Sequence, residues 1–516
     1  MKNFKPLSLA AAVTAASIGY TGVAVAQDIA AESGLGDMAI VPYYTVQGSF
    51  STGVSVVNTS DATQVVKIRL RRAADSMDAL DFNVVLSPED VWTGFVQRDD
   101  SQLGDVTGLP LIKFYTNDNS CTIPENTGSL TMPEIYRVGA EEGYIEVIGM
   151  GSADVTQPIS RGALHAQSGA TIGIPEDCTR VSDNFRRGLT PTDYYVDWAG
   201  FTGAATRTRG VVNSALSAQW TDGTGSATVS NAFTDTDNVL KVSYFIKSDE
   251  SGIEFGNNAV HIEDFMDGAS ITNQTVGVFE GDLQGFDHPD LNGGAPTSAG
   301  ALFSASNAAD YGSYEPLRRV LGGTRLINDW SDNDQGAFSV DTDWVVTTPG
   351  QYLMTNLFGY LRSLADPDFE CQPGTPGVNN ITVDGENCDF RDIPMTARPT
   401  VYDREERGII VEEDDLVVSP QPPGTIAVNV LDQEVNVITW GDSVLDSAKT
   451  ISVPKPDNAT AGWSSLGVSS NLSKQQAICE FTDLGADADD LEVTCSSTDT
   501  PAPLVGFVAW QRNFED

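Results

Sequence analysis

An all-β fold is predicted by three observations. Apolar residues recur at every second position in short runs, clusters of Gly, Pro, Asn and Asp separate those runs, and no long stretch shows the 3.6-residue period of an amphipathic helix. The expected arrangement is two antiparallel immunoglobulin-like or related β-sandwich domains with disulfide-stapled loops.

The elements follow in order. Residues 1–26 read as a secretory signal peptide. Lys2 and Lys5 open it, Pro6 to Val25 is mostly small and apolar, and Ala24-Val25-Ala26 supplies the small-x-small cleavage site. Residues 27–195 are expected to form an N-terminal β-sandwich domain. Val54–Val57 reads as a strand that runs into the turn cluster Asn58-Thr59-Ser60-Asp61. In the next run Val66, Ile68 and Leu70 share one face while Lys67, Arg69 and Arg71 share the other, which the pattern assigns to solvent. Leu80–Leu86, Val91–Val96 and Gly143–Gly149 complete the set of strands.

Residues 196–516 are expected to form a C-terminal β-rich domain. Residues 202–235 are rich in Gly, Ala, Ser and Thr and read as a linker or thin edge strands. Leu240–Ile246 has the β-branched and aromatic content of a strand. A short helix is expected over Pro316–Leu326, weakened by Gly322-Gly323. Asp343–Thr348, Val428–Val430, Val435–Ile438 and Leu504–Trp510 read as later strands.

The chain carries 72 acidic against 29 basic residues, a net charge of −43. A surface of that sign repels nucleic acid and anionic lipid, so neither is an expected partner. No apolar run after the leader reaches the roughly 18–20 residues needed for a membrane-spanning helix. An exported protein of the periplasm or cell surface is the resulting expectation. Six cysteines in an exported chain imply disulfides. Spacing suggests Cys121 with Cys178, Cys371 with Cys388 and Cys479 with Cys495, and other connectivities stay open.

Candidate chemistry is sparse. Three histidines, His165, His261 and His288, form no zinc motif, although His261 and Glu263 would share a strand face as a metal pair. No G-x-S-x-G elbow occurs, and a serine triad would have to be recognised from geometry. Glycoside hydrolysis needs two carboxylates in a cleft, and Trp330 beside Asp329 and Asp332, and Trp344 beside Asp341 and Asp343, place aromatics next to acids. Alternating acids such as Asp341 and Asp343 also fit a solvated strand edge. Calcium is the best-supported ion. Asp483, Asp487, Asp489, Asp490 and Glu492 surround Gly485 inside the suggested Cys479–Cys495 loop, and Ca²⁺ takes its oxygens from such loops. Asp329, Asp332 and Asp334 before Gly336, and Glu412 to Asp415, are further acidic clusters. Tyr43, Tyr44 and Phe50 fit either a sugar platform or a sandwich core. The segment Tyr402-Asp403-Arg404-Glu405-Glu406-Arg407 mixes both signs and reads first as an ion-pair cluster that seats a loop, second as a recognition or catalytic spot.

Several blocks resemble a family of exported, β-rich proteobacterial proteins without an assigned activity. These are Pro42-Tyr43-Tyr44-Thr45-Val46, Asn58-Thr59-Ser60, Leu80–Val84 with Leu86-Ser87-Pro88 and Asp90–Gly94, then Thr342–Thr347 and Tyr402–Glu406. The blocks carry no recognised catalytic role, and the resemblance implies an exported β-rich protein and no more.

A non-catalytic structural or binding protein is therefore the expected function, and a secreted carbohydrate-active enzyme using a carboxylate pair is the rival. The expected partners are further copies of the chain, through sheet edges, or a surface polysaccharide.

Overall fold

Alternating apolar positions require each strand to bury at least one face, and here they do so in three large sheets. The computed structural model describes residues 29–31, 33–74, 76, 78–104, 108–123, 128–133, 137–179, 181, 220–221, 228–229, 233–265, 269, 271, 289, 291, 314–333, 338–350, 395–410, 429–431, 433–470, 477–483, 491–497 and 503–514. The signal-peptide reading of residues 1–26 lies outside them.

The first sheet runs in the order Ile29–Ala30, Val260–Glu263, Met38–Thr45, Glu142–Ala153, Thr63–Arg72, Asp78–Leu86, Cys121–Ile123. The second runs Glu254–Asn258, Leu240–Ser248, Phe50–Asn58, Val91–Leu103, Pro110–Tyr115, Ser129–Thr131. Apolar side chains of both sheets join one core. Phe82 of the first lies 5.7 Å from Trp92 and 5.1 Å from Phe114 of the second, ring centroid to centroid. The strands at 240–263 thus pair with strands before residue 153, so sheet pairing runs across residue 195.

The third sheet runs Gly408–Ile410, Met395–Asp403, Ala461–Ser470, Arg325–Asn333, Phe338–Thr347, Val435–Thr439, Thr450–Ser452. Asn429–Leu431 adds to the 395–403 strand and Val505–Phe514 to the 338–347 strand. Pairing between the strands of these sheets is antiparallel, except between Val435–Thr439 and Thr450–Ser452. The all-β, antiparallel expectation therefore holds. Among the described residues helix is confined to short pieces such as Pro158–Ala163 and Tyr314–Leu321. The second stops before Gly322-Gly323, and a strand begins at Arg325 where the sequence suggested further helix. No helix among the described residues is long and apolar enough to cross a membrane.

The third sheet docks on the first through apolar and polar contacts. Tyr43 packs on Phe507 at 6.2 Å between ring centroids. Thr347 Oγ1 donates to the Pro42 carbonyl at 2.6 Å, and the N–H groups of Glu434 and Val435 donate to the Ala73 carbonyl at 2.8 and 3.0 Å. Pro42 lacks an N–H and sits in a strand paired on its 142–153 side. The register shift between Gly143 and Ile145 relaxes the ladder where Pro42 falls. Tyr43, Tyr44 and Phe50 are buried, which makes them core residues.

One expectation is overturned outright. Lys67, Arg69 and Arg71 do not reach solvent: they are 0%, 0% and 5% exposed. Both faces of the 63–72 strand are covered, and neighbouring strands supply the countercharges. Lys67 Nζ lies 3.2 Å from Asp81, Arg69 bridges Asp81 at 3.8 Å and Glu146 at 3.5 Å, and Arg71 Nε lies 2.9 Å from Glu146. Charges removed from water must be compensated nearby, and here alternation in three adjacent strands lines them up on one face.

Cys121 and Cys178 form a disulfide across 57 residues. It ties the edge strand Cys121–Ile123 to the segment after the first helix; Ile159 and Ala163 of that helix and Val181 beyond it share a buried cluster with Val65 and Val85. Cys371 and Cys388 lie outside the described residues. Cys479 and Cys495 face each other in the register of the hairpin Ala477–Asp483 and Leu491–Ser497, whose backbone alone is described.

Candidate functional site

The strand Arg325–Asn333 takes part in both halves of the third sheet. Its middle pairs with Ala461–Ser470, placing Asp329 opposite Trp463 and Trp330 opposite Gly462. Its end pairs with Phe338–Thr347 through Asp332 with Asp341 and Asn333 with Val340. Met395–Asp403 flanks the other side of Ala461–Ser470, with Tyr402 opposite Trp463 and Asp403 opposite Gly462. Val505–Phe514 brings Arg512 opposite Val340 and Trp510 opposite Thr342. These strands bound an open groove of about 650 Å³.

Its walls are aromatic and charged. Trp463 and Trp510 are 42% and 37% exposed, and both line the groove. Tyr402 stacks on Trp463 at 4.6 Å and 16°. Arg512 stands over the Trp510 ring, 5.8 Å from its centroid. Asp329, Asn333, Arg404 and Glu406 supply polar groups around the rings. Gly462 forms part of the floor for a steric reason. A Cβ there would lie 1.8 Å from the Tyr402 carbonyl oxygen, so only glycine lets the two strands approach.

The mixed-sign segment 402–407 forms the ion-pair cluster that seats a loop. Asp403 Oδ1 accepts from the N–H groups of Glu405 and Arg407 at 2.9 and 2.8 Å, and Oδ2 pairs with Arg407 Nε at 2.6 Å. Burial would raise the Asp403 pKa, but those backbone donors and the Arg407 charge outweigh it and hold the carboxyl below its ordinary value. With Asp403 and Arg407 seating the turn, and Glu406 in the left-handed region at φ 65°, Arg404 and Glu406 line the groove.

Trp330 and Trp344 are structural. Both are buried, packed on Trp440 at 6.0 and 4.9 Å, and their indole N–H groups donate to the carbonyls of Tyr402 and Asp329. Trp330 reaches the groove as part of its lining. Asp332 pairs with Lys455. Asp343 departs from the solvated-edge reading: it is buried and accepts from Ser443 Oγ at 2.7 Å and Leu445 N–H at 2.9 Å. Burial pushes its pKa up to about 6. Glu142 behaves similarly at the junction of the first and third sheets. Burial pushes it up to about 7 although Ser447 Oγ and the Ala448 N–H donate to it.

The remaining candidates fall elsewhere. His261 Nε2 accepts from the Val242 N–H at 2.8 Å, so its lone pair is already engaged, and burial lowers its pKa. Glu263 accepts from Ser33 Oγ. Ser87 Oγ lies 3.1 Å from His165 Nδ1 and Asp90 Oδ2 lies 3.7 Å from the same nitrogen. A relay needs serine and carboxylate on opposite ring nitrogens, so this trio does not form one. Of the calcium candidates, Asp487, Asp489 and Asp490 lie outside the described residues, and Asp483 and Glu492 are placed by backbone only. Asp334, Gly336, His288 and 412–415 also lie outside. Among the described residues no group of three or more His, Cys, Asp or Glu side chains is placed to hold a metal.

Sequence reasoning missed Trp463 and Trp510, because neither has an acid beside it in the chain. Comparison with family models, curated proteins and solved structures finds no match.

Proposed function

We propose that this chain is an exported, non-catalytic protein that binds glycans through the groove of the third sheet. The observation that carries the reading is the pair of part-exposed tryptophans, Trp463 and Trp510, facing one open cavity. Leaving two indoles in water is unfavourable unless a ligand covers them. Flat rings bounded by hydrogen-bonding side chains match a sugar, whose ring has an apolar face and a polar rim. The Cys121–Cys178 disulfide supports an oxidising compartment.

The distribution of titrating carboxyls favours binding over hydrolysis. A glycosidase acid works with a raised pKa. The two described carboxyls that burial raises to about 6 and about 7, Asp343 and Glu142, are not among the groove lining, while Asp403, which is, is held ionised. Affinity electrophoresis through gels cast with defined polysaccharides tests the reading. Retardation by at least one glycan, abolished in the Trp463→Ala, Trp510→Ala double variant, is expected. Equal mobility of both proteins in every gel would end it.

The enzyme reading rests on Asp329 and Glu406, two carboxylates that line the groove with Trp463. New reducing ends released from a bound glycan, and lost in Asp329→Asn, would favour it.

A further inference from the structure

We propose that the glycan taken by this groove is anionic, bearing carboxylate or sulfate groups that Arg404 and Arg512 read. The inference rests on the glycan-binding reading above and deepens it.

Acids outnumber bases 72 to 29, so a basic side chain readily finds a carboxylate. Several described ones do: Arg98 pairs with Asp100 at 2.8 Å, Lys113 with Asp99 at 3.0 Å, Lys247 with Asp249 at 2.6 Å, and Arg407 with Asp403 at 2.6 Å. Among the described residues Arg404 and Arg512 form no ion pair, and both face the same groove. Among the described residues, Arg512 stands over the Trp510 ring.

Arg404 is kept from its neighbour's carboxylate by the turn itself. Asp403 is spent on the Glu405 and Arg407 N–H groups and on the Arg407 guanidinium. Arg404 therefore stands between a neutralised acid and the open groove.

A guanidinium presents a planar fork of N–H donors that matches a carboxylate or sulfate, and such charge-assisted pairs are stronger than neutral ones. Two forks beside two indoles suit a polymer with a flat ring face and an anion on its edge. An acidic peptide offers the anion without the ring face, so the tryptophans disfavour it.

The net charge of −43 opposes any polyanion at long range. Salt screens that field within about 8–10 Å, whereas contact pairs in the groove survive. Affinity for the anionic glycan should therefore rise as salt is added from about 10 mM to about 150 mM, within the range where the screening length shortens.

The test uses the oxidised chain, freed of its leader, and titration calorimetry with four hexameric probes: oligogalacturonate, its full methyl ester, a sulfated galactan and hexaglutamate. The acid or the sulfated probe is expected to bind at least about 10-fold tighter than the ester, the scale of one charge-assisted hydrogen bond. The acid and sulfated arms tell which anion is preferred. Arg404→Gln and Arg512→Gln should each shrink the acid-over-ester preference, with unchanged melting temperatures reporting intact folds, and Arg→Lys should restore part of it. Ester binding equal to acid or sulfate binding overturns the anion inference and leaves the glycan reading standing. No binding of any glycan ends both. Hexaglutamate binding as tight as the uronate overturns the inference in favour of an acidic peptide.

Discussion

Tyr402 and Trp463 lie opposite each other on adjacent strands, and their rings stack at 4.6 Å. The tyrosine supports the indole from one side and leaves it 42% exposed. Such pairs contribute roughly 0.5–1.5 kcal/mol beyond the area they bury.

Removing that support should therefore weaken binding without unfolding the sheet. Tyr402→Ala is expected to lower glycan affinity about 3- to 10-fold, from the loss of roughly 1 kcal/mol of ring positioning. Tyr402→Phe should retain most of it, because the stack and not the hydroxyl holds the indole. Affinity electrophoresis of the two variants decides the point, and equal loss in both would contradict it.

Stability should depend on pH through Glu142. Its folded pKa of about 7 stands above the ordinary carboxylate value of 4.5 because burial disfavours the charged form. Between those values the native state holds a proton that the unfolded chain has released, so stability falls as pH rises from about 4.5 to about 7. The difference is on the order of 3 kcal/mol. Asp343 adds the same sign between its ordinary 3.8 and about 6. Glu142→Gln should flatten the curve of melting temperature against pH over that window. Parallel curves for variant and wild type would refute this.

The buried cations need Glu146. Glu146→Ala removes the carboxylate that faces Arg69 at 3.5 Å and Arg71 at 2.9 Å. A loss of about 3–5 kcal/mol is expected, the scale of one partner removed from a buried pair. Glu254→Ala, at an exposed edge-strand position, should change stability by less than about 0.5 kcal/mol. Urea titrations followed by fluorescence measure both.

The disulfide should stabilise the chain by closing a 57-residue separation. The chain-entropy model gives about 4 kcal/mol. The Cys121→Ala, Cys178→Ala double variant should melt well below the oxidised wild type. Reduction should bring the wild type towards the variant, and identical melting before and after reduction would count against the bridge.

The sequence pattern made the strands legible and left their partners hidden. Leu80–Leu86 and Val91–Val96 alternate as a two-sided strand must, and they fall within strands of facing sheets. The same alternation misled at Lys67, Arg69 and Arg71. Period two says which residues share a face, and does not say whether water or a carboxylate waits there. The countercharges were written in the neighbouring strands, one acid in each apolar run, as Asp81 and Glu146. The groove was harder still. Asp329, Trp463, Tyr402 and Trp510 come from four separate segments and meet through strand register, which one sequence does not reveal.

Pairing of Met38 with Ile262, and of Phe50 with Ser248, also governs the molecule's birth. The ribosome makes the first partner of each couple long before the second. Until the later segment emerges, the early strands carry bare hydrogen-bonding edges that any neighbouring nascent chain can seize. The hazard this topology creates belongs to synthesis, when a holding chaperone would matter most, and it vanishes once both latecomers have slotted home.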